Sequence, residues 1–224
     1  RTSGRIYKIT YGEPKASSAF ELRTLSDGDL VKLQTHRNEW FVRHARRILQ
    51  ERALVGKLEA STRPALFKLL ESNIGVPAQL RGLWALHVTG GLSEEQLVAL
   101  TSHQSEFMRW WAVQLLVEDR KASATVLKRF AEMAARDGSP FVRLALVSAL
   151  QRLPLQERWP IVTALAMHQE DSSDANLPFM LWYALEPMVP ADYARSVQLM
   201  EQTKIPLLRQ FISRRISESY MAAK

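Results

Sequence analysis

The sequence predicts an all-α fold, a solenoid of about six helical pairs over residues 26–224, with residues 1–25 forming a short N-terminal β-strand or arm and a linker. Three observations predict it. One amphipathic helix is written several times, as "NEWFVRHARRIL", "SEFMRWWAVQLL", "SPFVRLALVSAL" and "IPLLRQFISRRI". Aligned on the residue after the Phe-Val pair, these helices and two weaker copies place Arg43, Arg81, Arg109, Arg143, Met180 and Arg209 in register, at steps of 38, 28, 34, 37 and 29 residues. Each copy is preceded by another short apolar stripe. A period in this range belongs to repeats in which one helical pair buries its apolar face only against its neighbours.

Taken in order, "RIYKITY" at 5–11 alternates Ile6, Lys8 and Thr10 against Tyr7, Ile9 and Tyr11, in residue types that favour strands, and ends in a turn at Gly12 and Pro14. A lone strand is unstable, so it is expected to pair with a sheet of a preceding domain or to lie as an arm on the helices. From Ser26 the period becomes helical. The first helix of each pair is expected around 30–33, 66–70, 97–100, 126–134, 159–167 and 193–200, followed each time by the repeated helix. Ser26, Ser61, Ser93 and Ser139 are expected caps, Ser93 with Gln96 in a capping box. Pro64, Pro140, Pro160 and Pro206 are expected in or near first turns, and Gly56, Gly75, Gly90, Gly91 and Gly138 at stops.

Within "SPFVRLALVSALQRL", Phe141, Val142, Ala145, Leu146, Ala149, Leu150 and Leu153 form one face, and the small alanines permit close approach of a partner helix. Arg143 and Arg152 fall off that stripe. Arginine at the repeated position is therefore expected to reach a carbonyl or carboxylate of the adjacent repeat, as a structural ladder rather than a ligand site.

Composition narrows the function classes. A chain with 46% hydrophobic and 24% charged residues can bury a sizeable core. The absence of Cys excludes disulfides, thiolate metal sites, Cys nucleophiles and covalently attached haem within this segment. No window approaches the roughly 18 apolar residues of a membrane span, so no direct membrane insertion is expected. The opening "RTSGRIYKITYG" lacks an initiator Met and the apolar stretch of a signal peptide, which leads us to expect a piece of a longer polypeptide. The net charge of +7 is uneven: residues 1–63 carry 13 Lys or Arg against 7 acids, residues 64–170 carry 11 against 10, and residues 171–224 carry 6 against 6. That end faces either an anionic partner or a junction with a neighbouring domain.

The Val-Arg pair followed by spaced alanines and leucines, in "FVRLALVSAL" and "FVRHARRIL", resembles the HEAT-repeat family over about residues 26–222. The resemblance implies an armadillo-like, right-handed α–α superhelix and no particular activity. The order "GRIYKITYGEPK", linker, "LSDGDLVKLQTHRNEWFVRHARRILQER" over residues 4–52 is similar to a junction in large membrane-bound dehydrogenases of planctomycetes and verrucomicrobia. In those proteins a β-propeller precedes HEAT repeats and a c-type cytochrome region follows them. The resemblance implies a periplasmic or exported scaffold segment, with any quinone or haem chemistry elsewhere in the polypeptide and no cofactor here.

No motif in the segment points to catalysis. His36, His44, His87, His103 and His168 lack metal-ligand spacing, and "VTGGLSEEQ" reads as a helix connection rather than a nucleotide loop. Glu94 and Glu95 are adjacent, about 100° apart on a helix, and suit a helix start rather than a catalytic pair. Trp110 and Trp111, with Trp84, Trp182 and Tyr183 at comparable places, are expected to pack between repeats, with an aromatic groove as the other reading. The candidate interaction surface is Arg43, Arg46, Arg47 and Gln50, on the helix face opposite Val42, Ala45 and Leu49, with Trp110, Arg214 and Arg215; Arg47 also has Glu51 four residues on as an ion-pair partner. The expected partners are other domains of the same polypeptide or a separate protein. The alternative is a HEAT-like nucleic-acid-binding protein, which the chain resembles in repeat architecture, charge and tryptophans to the extent of the alkyl-base DNA glycosylase type.

Overall fold

The computed structural model describes residues 21–222, with Gly4, Tyr7, Ile9 and residues 11–13 before them. The expected strand at 5–11 lies outside the described residues apart from Tyr7, Ile9 and Tyr11, which are exposed. Among the described residues the fold is all-helical without a strand, and twelve α-helices run in six pairs. They are α1 (Asp27–Lys32) and α2 (Glu39–Leu54), α3 (Thr62–Leu70) and α4 (Val76–Val88), α5 (Glu94–Leu100) and α6 (Glu106–Leu116), α7 (Ala124–Arg136) and α8 (Pro140–Leu150), α9 (Leu155–Leu165) and α10 (Leu177–Leu185), α11 (Tyr193–Gln202) and α12 (Pro206–Ala222).

Helix starts follow the cap chemistry. The Ser26 hydroxyl accepts from the Asp29 N–H at 3.1 Å and Ser139 from the Val142 N–H at 3.3 Å, while Ser93 and Gln96 close the full capping box. Ser61 makes no such bond, because its backbone is already helical where the chain turns into α3. Asn38, Ser123 and Asp192 are further caps, accepting from Trp40, Val126 and Arg195. Pro160 departs from the expectation for a first-turn proline. Helix α9 starts at Leu155 directly after Pro154, so Pro160 falls inside it and withholds an N–H from the Gln156 carbonyl. Gly56 and Gly90 close α2 and α4 at φ of 68° and 65°, where a side chain would be strained, whereas Gly138 does not take a positive φ.

The chain divides into two compact units, residues 1–73 with 81–90, and residues 74–80 with 91–224. In the first, α2 buries Val42, Ala45, Ile48 and Leu49, and its core gathers Leu22, Leu30, Ala45, Ile48 and Leu49 under Leu25, Val31, Leu33, Phe41 and Leu58. Gly82 lets α4 approach α3 closely: a Cβ there would meet the Leu70 nitrogen at 2.9 Å. In the second, the later helices of each pair form one layer, α6 on α8, α8 on α10 and α10 on α12, and α7 packs on α9 in another. Helix α8 is central and buries seven of its eleven residues, Arg143 among them.

Candidate functional site

The repeated arginine is engaged in a ladder. Arg109 on α6 gives Nε and Nη2 to the two carboxylate oxygens of Asp137 at 2.8 Å each, and Nη1 to the carbonyls of His103 and Gln104. Arg143 on α8 repeats this with Asp171, Nε to Oδ2 at 2.6 Å, and gives Nη1 to the Asp137 carbonyl at 2.8 Å. Both acids stand 28 residues beyond their arginine, in the following pair. Hydrogen bonding to these carboxylates raises the pKa of both guanidinium groups, against the opposing effect of burial. Asp137 thus joins two rungs, by its side chain to Arg109 and by its backbone to Arg143. In the first unit Arg81 reaches the other way, donating to the Gln34 and His36 carbonyls and pairing with Glu39, all in the preceding pair.

At the fifth copy, Met180 has no charge to contribute. Asp174 instead caps α10, accepting from the Asn176 and Leu177 N–H groups at 2.8 Å each, and these bonds hold its pKa below the ordinary range. Arg158 of α9, 8% exposed, reaches the Leu153 and Ala184 carbonyls, and burial lowers its pKa.

The sequence-selected cations are placed in different ways. Arg43 and Arg47 are exposed on α2, and Arg47 pairs with Glu51 at 3.3 Å. Gln50 is half-buried beside them in sequence. Arg46 differs from the open face its spacing suggests: it is half-buried 5.2 Å from the Trp84 ring, its Nη1 has no hydrogen-bond partner among the described residues, and burial lowers its pKa. Arg52 is held by Asp27 and by the Arg23 and Leu25 carbonyls. Arg214, exposed, pairs with Glu218, and Arg215 with Trp182, Glu186 and Phe211 lines a notch of about 210 Å³.

Trp110 stacks on Phe141 with centroids 5.6 Å apart and planes at 16°, and meets Trp111 edge-on at 5.1 Å. Phe107 joins from the same helix at 5.5 Å from Phe141. A second group, Phe179, Trp182 and Phe211, forms between α10 and α12. Phe107, Phe179 and Tyr183 remain 49%, 43% and 56% exposed, so the later helices of this unit carry open aromatic surface. Sequence reasoning selected Trp110, placed Phe141 on the packing stripe of its helix, where it is instead 36% exposed, and missed Phe107; the signal for both is their place two residues before Arg109 and Arg143.

Two grooves accompany these features in the second unit. One, of about 500 Å³, runs between α9 and α11 past Trp159, Pro160, Met167 and three glutamines. The other, of about 410 Å³, is lined by Arg109, Arg129 and Arg136 with Glu132 and Asp137. Arg109 and Arg129 are already engaged there, Arg129 with Thr101, Ser102 and Glu132. Among the described residues no group of three His, Asp or Glu is placed to hold a metal ion, and no helix is long and apolar enough to cross a membrane. Neither a protein-family model nor a curated protein matches the chain.

Proposed function

We propose that this chain is a non-catalytic scaffold of the HEAT type, a right-handed α–α superhelix that presents a surface to another domain or protein within a larger exported, dehydrogenase-like polypeptide. The observation that carries the reading is the recurring clamp, Arg109 to Asp137 and Arg143 to Asp171, with one 28-residue step and one two-pronged geometry. Such a clamp sets the spacing of neighbouring pairs, and its donors and acceptors satisfy one another rather than a substrate. The open aromatic surface of the later helices supplies an area for docking.

The dehydrogenase context rests on the resemblance over residues 4–52. Reading the native frame on both sides of the segment tests it: a propeller-like strand series upstream and a CxxCH downstream are expected, and the absence of both removes that context. The nucleic-acid alternative draws on the cations of residues 1–63, of which Arg47, Arg52 and Arg63 already hold Glu51, Asp27 and the Thr89 carbonyl. Duplex titrations at low and physiological salt are expected to show no binding. A steeply salt-dependent affinity lost on Arg43→Glu with Arg47→Glu would put the alternative in its place.

A further inference from the structure

The ladder has an open end. In α6 and α8 the repeated arginine makes two kinds of bond. One goes to a carbonyl of its own turn six residues back, Arg109 to His103 and Arg143 to Asp137, and the other is the two-pronged bond to an aspartate of the following pair. Arg209, in the same position of α12, keeps the first, with Nη2 on the Thr203 carbonyl at 3.0 Å. In place of the second, its Nε holds the Met200 carbonyl of its own hairpin at 3.2 Å. No carboxylate pairs with it among the described residues, and Arg209 is exposed where Arg143 is buried.

The neighbouring helix carries matching apolar surface. On α11, Tyr193, Val197 and Met200 follow one another at steps of four and three, so they share a face. Tyr193 is 43% and Val197 38% exposed. Helix α9, packed on α7, buries Arg158, Trp159, Ile161, Val162 and Leu165; α11 buries only Ser196 and Leu199.

We infer that the α11–α12 face binds a helical hairpin presenting an aspartate or glutamate from the turn between its helices, the carboxylate seating on Arg209 and apolar side chains covering Tyr193, Val197 and Met200. What points to this occupant is the pattern of the two rungs of the second unit, where Arg109 and Arg143 each receive an acid from the next pair. The inference rests on the scaffold reading in treating the chain as a docking module, and adds the chemistry of the partner at this end.

The test uses the full chain and its own acid-bearing hairpin. Residues 122–153, which present Asp137 to Arg109, are joined behind residue 224 through a flexible linker, and a twin fusion carries Asp137→Asn in the appended copy. Hydrogen exchange of the α11 and α12 amides is then compared with that of the unfused chain. The aspartate fusion is expected to slow exchange on the order of tenfold relative to the asparagine fusion, since a charge-assisted pair is lost in the latter. Arg209→Gln in the host portion is expected to erase the difference between the two fusions. Exchange unchanged from the unfused chain, or equal protection by both hairpins, overturns the proposal. Either of those results leaves the scaffold reading standing, because that reading is decided by the flanking frame and the duplex titration.

Discussion

Arg143 and Asp171 form a two-pronged ion pair with side-chain exposures of 2% and 6%, joining the first turn of α8 to the pair that follows it. Removing one member strands a charge away from water, whereas removing both leaves a volume that apolar side chains can fill.

Asp171→Ala is therefore expected to destabilise the chain by about 3–5 kcal/mol, and Arg143→Met combined with Asp171→Leu to cost far less or nothing. Urea unfolding of the single and double variants checks the difference. Arg47→Ala, which breaks the exposed pair with Glu51, is the control and should stay within about 1 kcal/mol of the parent.

Gly82→Ala places a methyl group 2.9 Å from the Leu70 nitrogen and 3.3 Å from the Leu66 carbonyl oxygen, both of them backbone atoms that yield only if the helices separate. Alanine gains about 1 kcal/mol of helix propensity over glycine, yet overpacking of about 1–3 kcal/mol is expected to win. A lower denaturation midpoint with unchanged slope is the predicted result.

Asp27 predicts a pH dependence. Burial opposes its ionisation, but the Arg52 guanidinium, the Glu59 N–H and the Thr62 hydroxyl outweigh it and hold the carboxyl below the ordinary Asp range. A carboxyl with a depressed folded pKa contributes stability that is complete above the unfolded value of about 4 and is lost as pH falls through the folded one. Asp27→Asn should thus be less stable at pH 7, with the gap to the parent closing only below about pH 4, as followed by helical circular dichroism.

Arg46 and Arg47 are adjacent in sequence and differ in consequence. Arg46→Glu moves an acid against Trp84 in a half-buried place and is expected to lower stability by about 1–3 kcal/mol, while Arg47→Glu stays within about 1 kcal/mol. Thermal unfolding of the two variants checks this. Charge reversals meant to probe the surface of α2 belong at Arg43 and Arg47.

Much of the fold is legible in the sequence because the apolar period, the Ser and Asn caps and the turn residues agree along the chain. The six pairs, the Ser93 box and the register of Arg81, Arg109, Arg143 and Arg209 all follow from local pattern. The acids that complete the ladder do not. Asp137 stands six residues before Arg143 while Asp171 stands nine before Met180, so they hold no fixed place within the repeat, and the 28-residue step they share emerges only once the helices are packed. Arg46 escapes for a different reason: grouped with Arg43 and Arg47 as an open face, it stands four residues after Val42 and so flanks the buried stripe, where Trp84 of α4 covers it. Pro160 misleads because the apolar stripe begins at Trp159, four residues after the helix does.

The double attachment of Asp137 has a consequence for folding. A residue gripped by Arg109 through its side chain and by Arg143 through its backbone makes the energies of adjacent pairs interdependent, so rupture at one rung weakens the next. The stretch from α6 to α9 should consequently melt as one block rather than hairpin by hairpin. Helices α11 and α12, whose Arg209 grips only its own hairpin, stand outside that block and are expected to open more readily than it does.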